Sequence, residues 1–281
     1  MSSNTESAAS PRSRFQTGFS TLGCAELDLG QIMQLAVEHA VGAVELRVVA
    51  GRLDPVAALK ERFGTPAGAA VWWRDQPACV RILTLQTSFK LAGSTAADRE
   101  VLLETAPWAD ALGARWLRVF DGCAGTDAGG NLSEMAGTII WWREQRRSHR
   151  WRTDLAIETH DSLLTTADVA PLTDRFPDIA ILWDPHNMWK KGGEEPVAVW
   201  RAIRRQVAYV HVKDSIAQPS PRHQFTYVLP GRGEFPMGAL RAALVADGFA
   251  GVLSLEWERH WHPYLPPLPE ALQAMRASGW W

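Results

Sequence analysis

Four apolar runs in the second half of the chain each carry, at or near their ends, a side chain able to ligate a cation or move a proton. "DLAIETH" (154–160) carries Glu158, "IAILWD" (179–184) ends on Asp184, "VAYVHVKD" (207–214) carries His211, and "GVLSLEWE" (251–258) carries Glu256. If each run is a β-strand, alternate residues share a face. Asp154, Ala156 and Glu158 then lie together, as do Ala180, Leu182 and Asp184, then Tyr209, His211 and Lys213, and finally Val252, Ser254, Glu256 and Glu258. Three carboxylates and an imidazole gathered at one point repel one another and are costly to remove from water without a countercharge. One divalent cation is the economical partner. An oxygen-rich set with a single nitrogen suits Mn2+, Mg2+ or Co2+, and Zn2+ is also compatible. A lone strand-end glutamate is more often solvated or salt-bridged, and a lone inward histidine is more often hydrogen-bonded core. Four at successive strand ends carry the reading. Within "WDPHN", Asp184, Pro185 and Asn187 are also ordinary turn formers, so this stretch alone decides nothing.

Bringing four strand ends together requires a particular architecture. From about Thr17 onward, short β-like runs alternate with longer segments of helical periodicity. The earlier strands are expected at "TGFSTLG" (17–23), "AVELRVV" (43–49), "CVRILTLQ" (79–86) and "RWLRVFD" (115–121), which makes eight with the four above. Helices are expected at "LGQIMQLAVEHA", "AADREVLLETAPWADALG", "LSEMAGTIIWWREQRRSH", "EPVAVWRAIRRQ" and "PMGALRAALVADG"; in the last, Met237, Leu240, Leu244 and Val245 recur at the spacing of one buried face. Eight βα units in 281 residues, without a composition break, fit a single-domain (β/α)8 TIM barrel, with a doubly wound sheet as the alternative. Barrel active sites lie at the C-terminal strand ends, where the acids and the histidine fall. The expected division is a disordered Ser- and Ala-rich lead over residues 1–16 and a barrel over 17–281.

Composition excludes several classes. A net charge of −2 and a sequence pI near 6.5 offer no basic surface for a phosphate backbone, so nucleic acid is not an expected partner. No uninterrupted apolar run approaches the roughly 18 to 20 residues of a membrane span, and no membrane association is expected. Cys24, Cys79 and Cys123 are odd in number and lack the spacing of a zinc site or disulfide framework, which points to a reducing cytoplasm.

The chain resembles the xylose isomerase-like barrel superfamily, in its sugar phosphate isomerase/epimerase branch, of AP endonuclease family 2 type. The marks, in chain order, are "GAVELR", "LRVFDG", "IETH", "WDPHN", "HVKD", "GRGEF" and "GVLSLEWE". What the resemblance implies is that Glu158, Asp184, His211 and Glu256 match the family's metal positions, with Glu158 and Glu256 as the acid/base pair. It also implies a small ketose, keto-polyol or sugar phosphate as substrate, reacting through an enediolate. Return of the proton to the opposite face would epimerise, and return to another carbon would isomerise. Expulsion of a β-hydroxyl would make the protein a lyase of the inosose or dehydroshikimate dehydratase type. An apurinic-endonuclease-like nuclease needs more histidines and acids than can be placed here, and a binding-only barrel would need a broken ligand position. Barrels of this branch are often dimers or tetramers, so a homo-oligomer is a further expectation, without a defined state.

Substrate contacts are expected from His186 and Asn187, from Lys213, and from Glu45 and His160 at the mouth. In epimerases of this kind a histidine usually stands three residues after the metal aspartate; here that place holds Asn187, and His186 comes one earlier. Lys213 has pairing with Asp214 or Glu258 as its alternative, and Glu45 has pairing with Arg47 or Arg118. Arg222 and Arg232 are candidates for the arginine that holds substrate oxygens, with a solvated loop position as the alternative for each. Among 14 tryptophans, Trp189 and Trp261 are expected on loops near the mouth, where a flat ring could pack on a sugar face. Trp183 and Trp257 should point into the helix layer, and the pairs at 72–73 and 141–142 should be helix packing.

Overall fold

A computed structural model of the protein describes residues 15–122 and 128–281. The expectations for the N-terminal lead over residues 1–14 and for Cys123 lie outside the described residues. In chain order the strands are β1 (Gln16–Ser20), β2 (Ala43–Leu46), β3 (Arg81–Lys90), β4 (Trp116–Phe120), β5 (Asp154–Glu158), β6 (Ala180–Trp183), β7 (Val207–Val212), β8 (Asp214–Ile216), β9 (Thr226–Val228) and β10 (Val252–Leu255). The helices are α1 (Leu29–Glu38), α2 (Pro55–Phe63), α3 (Pro66–Arg74), α4 (Ala96–Ala111), α5 (Ala128–His149), α6 (Thr166–Arg175), α7 (Pro185–Lys190), α8 (Pro196–Ile203), α9 (Met237–Ala246) and α10 (Leu268–Ala277).

Eight parallel strands close in the order β1-β10-β7-β6-β5-β4-β3-β2, while β8 and β9 form a separate antiparallel hairpin. All eight expected strands are present. The expected alternation also holds: Ala43, Leu83, Ala156, Leu182, Tyr209 and Val252 form one apolar cluster distinct from the large helix-facing core. That plug consists of residues from the inward rows, beneath Glu158, Asp184, His211 and Glu256.

Local chemistry fixes the elements. Asp28, Thr95 and Thr165 each close a capping box with the residue three places on, Gln31, Asp98 and Asp168, at the starts of α1, α4 and α6. On α9, Met237, Leu240 and Leu244 are buried, each contributing about 2 kcal/mol, while Val245 is half-buried at the edge of that face. Phe15 is buried and β1 begins at Gln16, one residue before the expected Thr17. β1 also stops early, because Thr21–Cys24 wind into a 3-10 turn capped by the Ser20 hydroxyl.

Two features depart from the expected pattern. The stretch after β6 is not a bare turn but α7, capped by Asp184 and opened by Pro185, whose ring presets a helical φ. Trp189 therefore lies on a helix rather than a loop. The β8–β9 hairpin has strands of only three residues, too short to show a period of two. Among the described residues, no helix is long and apolar enough to cross a membrane.

Candidate metal centre and active site

Glu158 ends β5, Asp184 follows β6, His211 lies one residue before the end of β7 and Glu256 follows β10. Each offers a ligand atom, and the four atoms lie within 4.8 Å of one another. All are sealed from solvent, at 1%, 0%, 0% and 6% exposure respectively. His211 Nδ1 stands 3.3 Å from Glu158 Oε1 and 3.3 Å from Glu256 Oε2. Topology explains the symmetry: β10 flanks β7 directly on one side, and β5 lies beyond β6 on the other.

The residues fit a divalent cation. His211 Nδ1 is buried without a hydrogen-bond partner although it faces Glu158 and Glu256, and unpaired buried polar atoms are rare unless something else engages them. The donor set of three carboxylates and one imidazole suits a hard or borderline ion with open coordination positions.

Electrostatics within the site follow the same logic. Burial pushes the Glu158 carboxyl up, but Arg118, with help from His211, outweighs it and brings it down to about 2. Arg118 Nε stands 3.2 Å from Glu158 Oε2, and its other nitrogens bond the Thr87 carbonyl and Gln86. Glu256 is likewise held well below the usual carboxylate range, because His211 and Lys213 overcome its burial. Asp184 goes the other way: burial raises it despite Lys213. The imidazole of His211, drawn down by burial, is carried well up by Glu256 and Glu45. The cluster thus attracts positive charge.

Lys213 supplies some of it. Its ammonium lies 2.8 Å from Asp184 Oδ2, 2.5 Å from Glu256 Oε2 and 2.9 Å from Glu258 Oε1. Pairing with Glu258 was one expected alternative; the contacts with two members of the metal set were not. Asp214 is not its partner. That carboxylate instead accepts backbone N–H bonds from Ser215, Gly231, Gly233 and Phe235, folding "GRGEF" onto the β8–β9 hairpin. Gly233 is required there, since a Cβ would come within 2.1 Å of Asp214 Oδ1.

The remaining expected substrate residues divide. Asn187 donates from its backbone and side chain to the two Asp184 oxygens at 2.9 and 2.7 Å, so it orients that carboxylate. His186 turns away from the cluster: its Nε2 shares a 2.8 Å hydrogen bond with Ser215, and its ring sits among Trp189, Phe225, Tyr227 and Phe235. Glu45 pairs with neither Arg47 nor Arg118; it lies fully buried against His211 Nε2, 3.1 Å from both carboxylate oxygens. His160 bonds Asp161 at 2.8 Å and packs on Phe120, in a loop gathered by Asp121, whose carboxylate accepts from the backbone of residues 160–163. Arg222 is exposed over the Trp261 ring and bonds its carbonyl, the solvated loop position. Arg232 is also exposed. Trp183 stacks on Trp200 of α8 and Trp257 bonds Pro266, both in the helix layer. The pairs at 72–73 and 141–142 lie on α3 and α5.

Arg118, Gln86 and Ser254 were not singled out as site residues. The inward positions of Arg118 on β4 and Ser254 on β10 follow from alternation, whereas Gln86 shares the inner face with Leu83 because the β2–β3 register shifts between Ile82 and Thr84; in each case a polar residue on an inner face has no distinguishing pattern until its partners are known.

A family model described as xylose isomerase-like TIM barrel matches residues 34–278. No curated protein matches the chain significantly. Among solved structures, the chain is similar to the probable 3-DHS dehydratase AsbF of Bacillus anthracis, with a TM-score of 0.74 and 15% identity, covering 93% of this chain and 99% of that one. It is similar to an IOLI protein with a binding zinc atom (TM-score 0.72, 14% identity, 94% and 96% covered). It is also similar to a D-tagatose 3-epimerase-like protein (TM-score 0.64, 14% identity, 94% and 98% covered). At these identities the structural likeness speaks for the fold. The matched model spans most of the sequence, and with the closed eight-stranded barrel it shows that the chain belongs to the xylose isomerase-like TIM barrel family.

Proposed function

We propose that the protein is a divalent-metal-dependent isomerase or epimerase acting on a small ketose, keto-polyol or sugar phosphate. The observation that carries this is the placing of Glu158 and Glu256 at equal 3.3 Å distances from His211 Nδ1, from strands on either side of β7. Two carboxylates so placed can serve the two faces of one substrate carbon. A divalent cation held by Glu158, Asp184, His211 and Glu256 supplies Lewis acidity, polarising a ketone and a neighbouring hydroxyl so that the adjacent C–H becomes acidic.

The chain's own residues then divide the work. Glu158, kept ionised by Arg118, takes the proton from carbon, leaving an enediolate. Glu256 returns a proton from the other side, drawing on the Lys213 ammonium at 2.5 Å. Asn187 holds Asp184 in place from behind. Tyr227, buried with its ring centroid 5.6 Å from Lys213 Nζ, gives this part of the site an apolar wall that helps to keep bulk water from the enediolate. The epimerase-like neighbour supports this reading at the level of fold.

Lys213 also favours a second reading. An ammonium beside Glu256 can protonate a leaving β-hydroxyl, which would turn the same proton abstraction into a dehydration, the chemistry named for the AsbF neighbour. A panel of ketoses and keto-inositols incubated with enzyme and Mn2+ in deuterated water, then stripped of metal for 1H NMR, separates the two. Loss of one C–H signal with retention of all hydroxyl-bearing carbons supports isomerisation or epimerisation. A new ultraviolet absorbance from an enone supports the lyase.

A further inference from the structure

Glu45 lies across the His211 ring from Glu158 and Glu256. Both of its oxygens are 3.1 Å from His211 Nε2, while Nδ1 of the same ring faces Glu158 and Glu256. The carboxylate is fully buried, and its other partners are neutral: Gln86 Nε2 donates to Oε2 at 2.7 Å and the Ser254 hydroxyl donates to Oε1. Ser20 in turn donates to the Gln86 oxygen, which leaves the Gln86 amide group oriented toward Glu45. Among the described residues, His211 is the one basic side chain within salt-bridge distance of Glu45. An anion buried at this depth is held only if strong donors satisfy it.

Strand register builds the arrangement. Glu45 pairs across β1 with Ser20, and His211 pairs across β10 with Ser254. A shift in the β2–β3 register falls between Val44 and Glu45. Gly18 leaves room beside Ser254, since a Cβ there would meet the serine hydroxyl at 3.2 Å and Val252 at 2.7 Å.

We infer that Glu45 is the positioning residue for His211: by accepting the Nε2–H bond, it holds the imidazole in the tautomer and rotamer whose Nδ1 lone pair points at the bound cation. The physical basis is that a ring nitrogen can ligate only where it carries no proton, and the bond made by the opposite nitrogen decides which one that is. Removing the acceptor frees the proton to move to Nδ1 and the ring to turn. This rests on the metal-site reading above and adds a role that lies outside the four-residue cluster.

The test uses Zn2+ as a diamagnetic probe on the full chain. Chelator-treated wild type, Glu45→Leu and Ser254→Ala are titrated with Zn2+, and their histidine nitrogens are read by long-range 1H–15N NMR. The expected wild-type spectrum shows His211 bound through Nδ1 with Nε2 protonated. Glu45→Leu, which offers no acceptor, should keep its circular dichroism spectrum yet bind Zn2+ about 10- to 100-fold more weakly, with the Nε2–H signal shifted or lost. Ser254→Ala touches the same carboxylate but not the ring, and should bind within about threefold of wild type. If wild type binds Zn2+ and Glu45→Leu binds it equally well, or if His211 ligates through Nε2, the inference is overturned while the metal site stands. A wild type that binds no metal overturns the metal reading and this inference with it. If Glu45→Leu does not fold, the wild-type tautomer alone decides.

Discussion

The Nζ of Lys213 stands 2.8 Å from Oδ2 of Asp184, the carboxylate that also caps α7. An ammonium is thereby held by Asp184, Glu256 and Glu258. Burial pulls this amine down, but Asp184, Glu256 and Glu258 carry it well above its usual range, so it is charged at neutral pH. Lys213→Met removes that charge and leaves a stem of similar shape. The three carboxylates then favour a divalent cation at least as strongly as before, while substrate oxygens and proton return lose their donor. Turnover should fall by about 100-fold or more, with metal affinity unchanged or tighter. Steady-state kinetics paired with a metal titration checks both.

Glu158→Gln and Glu256→Gln keep volume and burial but remove a base. Each variant should fold and lose about 100- to 10,000-fold in turnover. The two differ in one respect: Glu158→Gln leaves Arg118 without its carboxylate inside the barrel, so it should also lower the melting temperature, as an uncompensated buried charge does. Thermal denaturation followed by circular dichroism makes that comparison. Equal melting temperatures for the two variants would contradict the pairing of Arg118 with Glu158.

Asp214 gathers four backbone N–H groups and thereby fixes both the hairpin and "GRGEF". Asp214→Ala leaves those donors without an acceptor and should cost about 3 kcal/mol. Gly233→Ala should act on the same loop by steric conflict with that carboxylate. In both variants, hydrogen exchange should accelerate in residues 214–235 before any change in the barrel strands.

His160 reports on the loop after β5. Burial lowers its imidazole, but the hydrogen bond that it donates to Asp161 and the charge of Glu158 raise it above its ordinary 6.5. Asp161 is itself held below 3.8, its burial outweighed by His160. The histidine's contribution to stability is complete below about pH 6.5 and is lost as pH rises through its higher folded value. The aspartate's is present above about 3.8 and is lost on acidification. NMR titration should therefore find His160 above 6.5 in the wild type and lower in Asp161→Asn; a value below 6.5 in the wild type would contradict the pairing.

The barrel was legible because a parallel strand buried on both faces shows as an apolar run, and eight such runs alternate with helical periodicity. The cluster was legible for a related reason: a strand's period of two fixes which residues share a face, and Glu158, Asp184, His211 and Glu256 come from the inward rows. What sequence alone could not supply were contacts between strands distant in the chain. Glu45 and His211 are 166 residues apart, and nothing in "VELR" says that its acid would meet an imidazole rather than an arginine or a substrate. His186 shows the opposite limit. Beside the candidate ligand Asp184 it reads as a site residue, yet α7 turns its ring toward Ser215 and the hairpin aromatics, a direction set by a helix that the turn-forming residues of "WDPHN" disguise.

The central claim is that Glu158, Asp184, His211 and Glu256 hold one divalent cation. Equilibrium dialysis of chelator-treated protein against Mn2+ or Zn2+, with metal counted by mass spectrometry, tests it most directly in wild type and in Asp184→Ala. The account predicts about one ion per wild-type chain, with binding lost or weakened at least tenfold in the variant. A wild type that retains no ion, or a variant that binds as tightly as wild type, would contradict it.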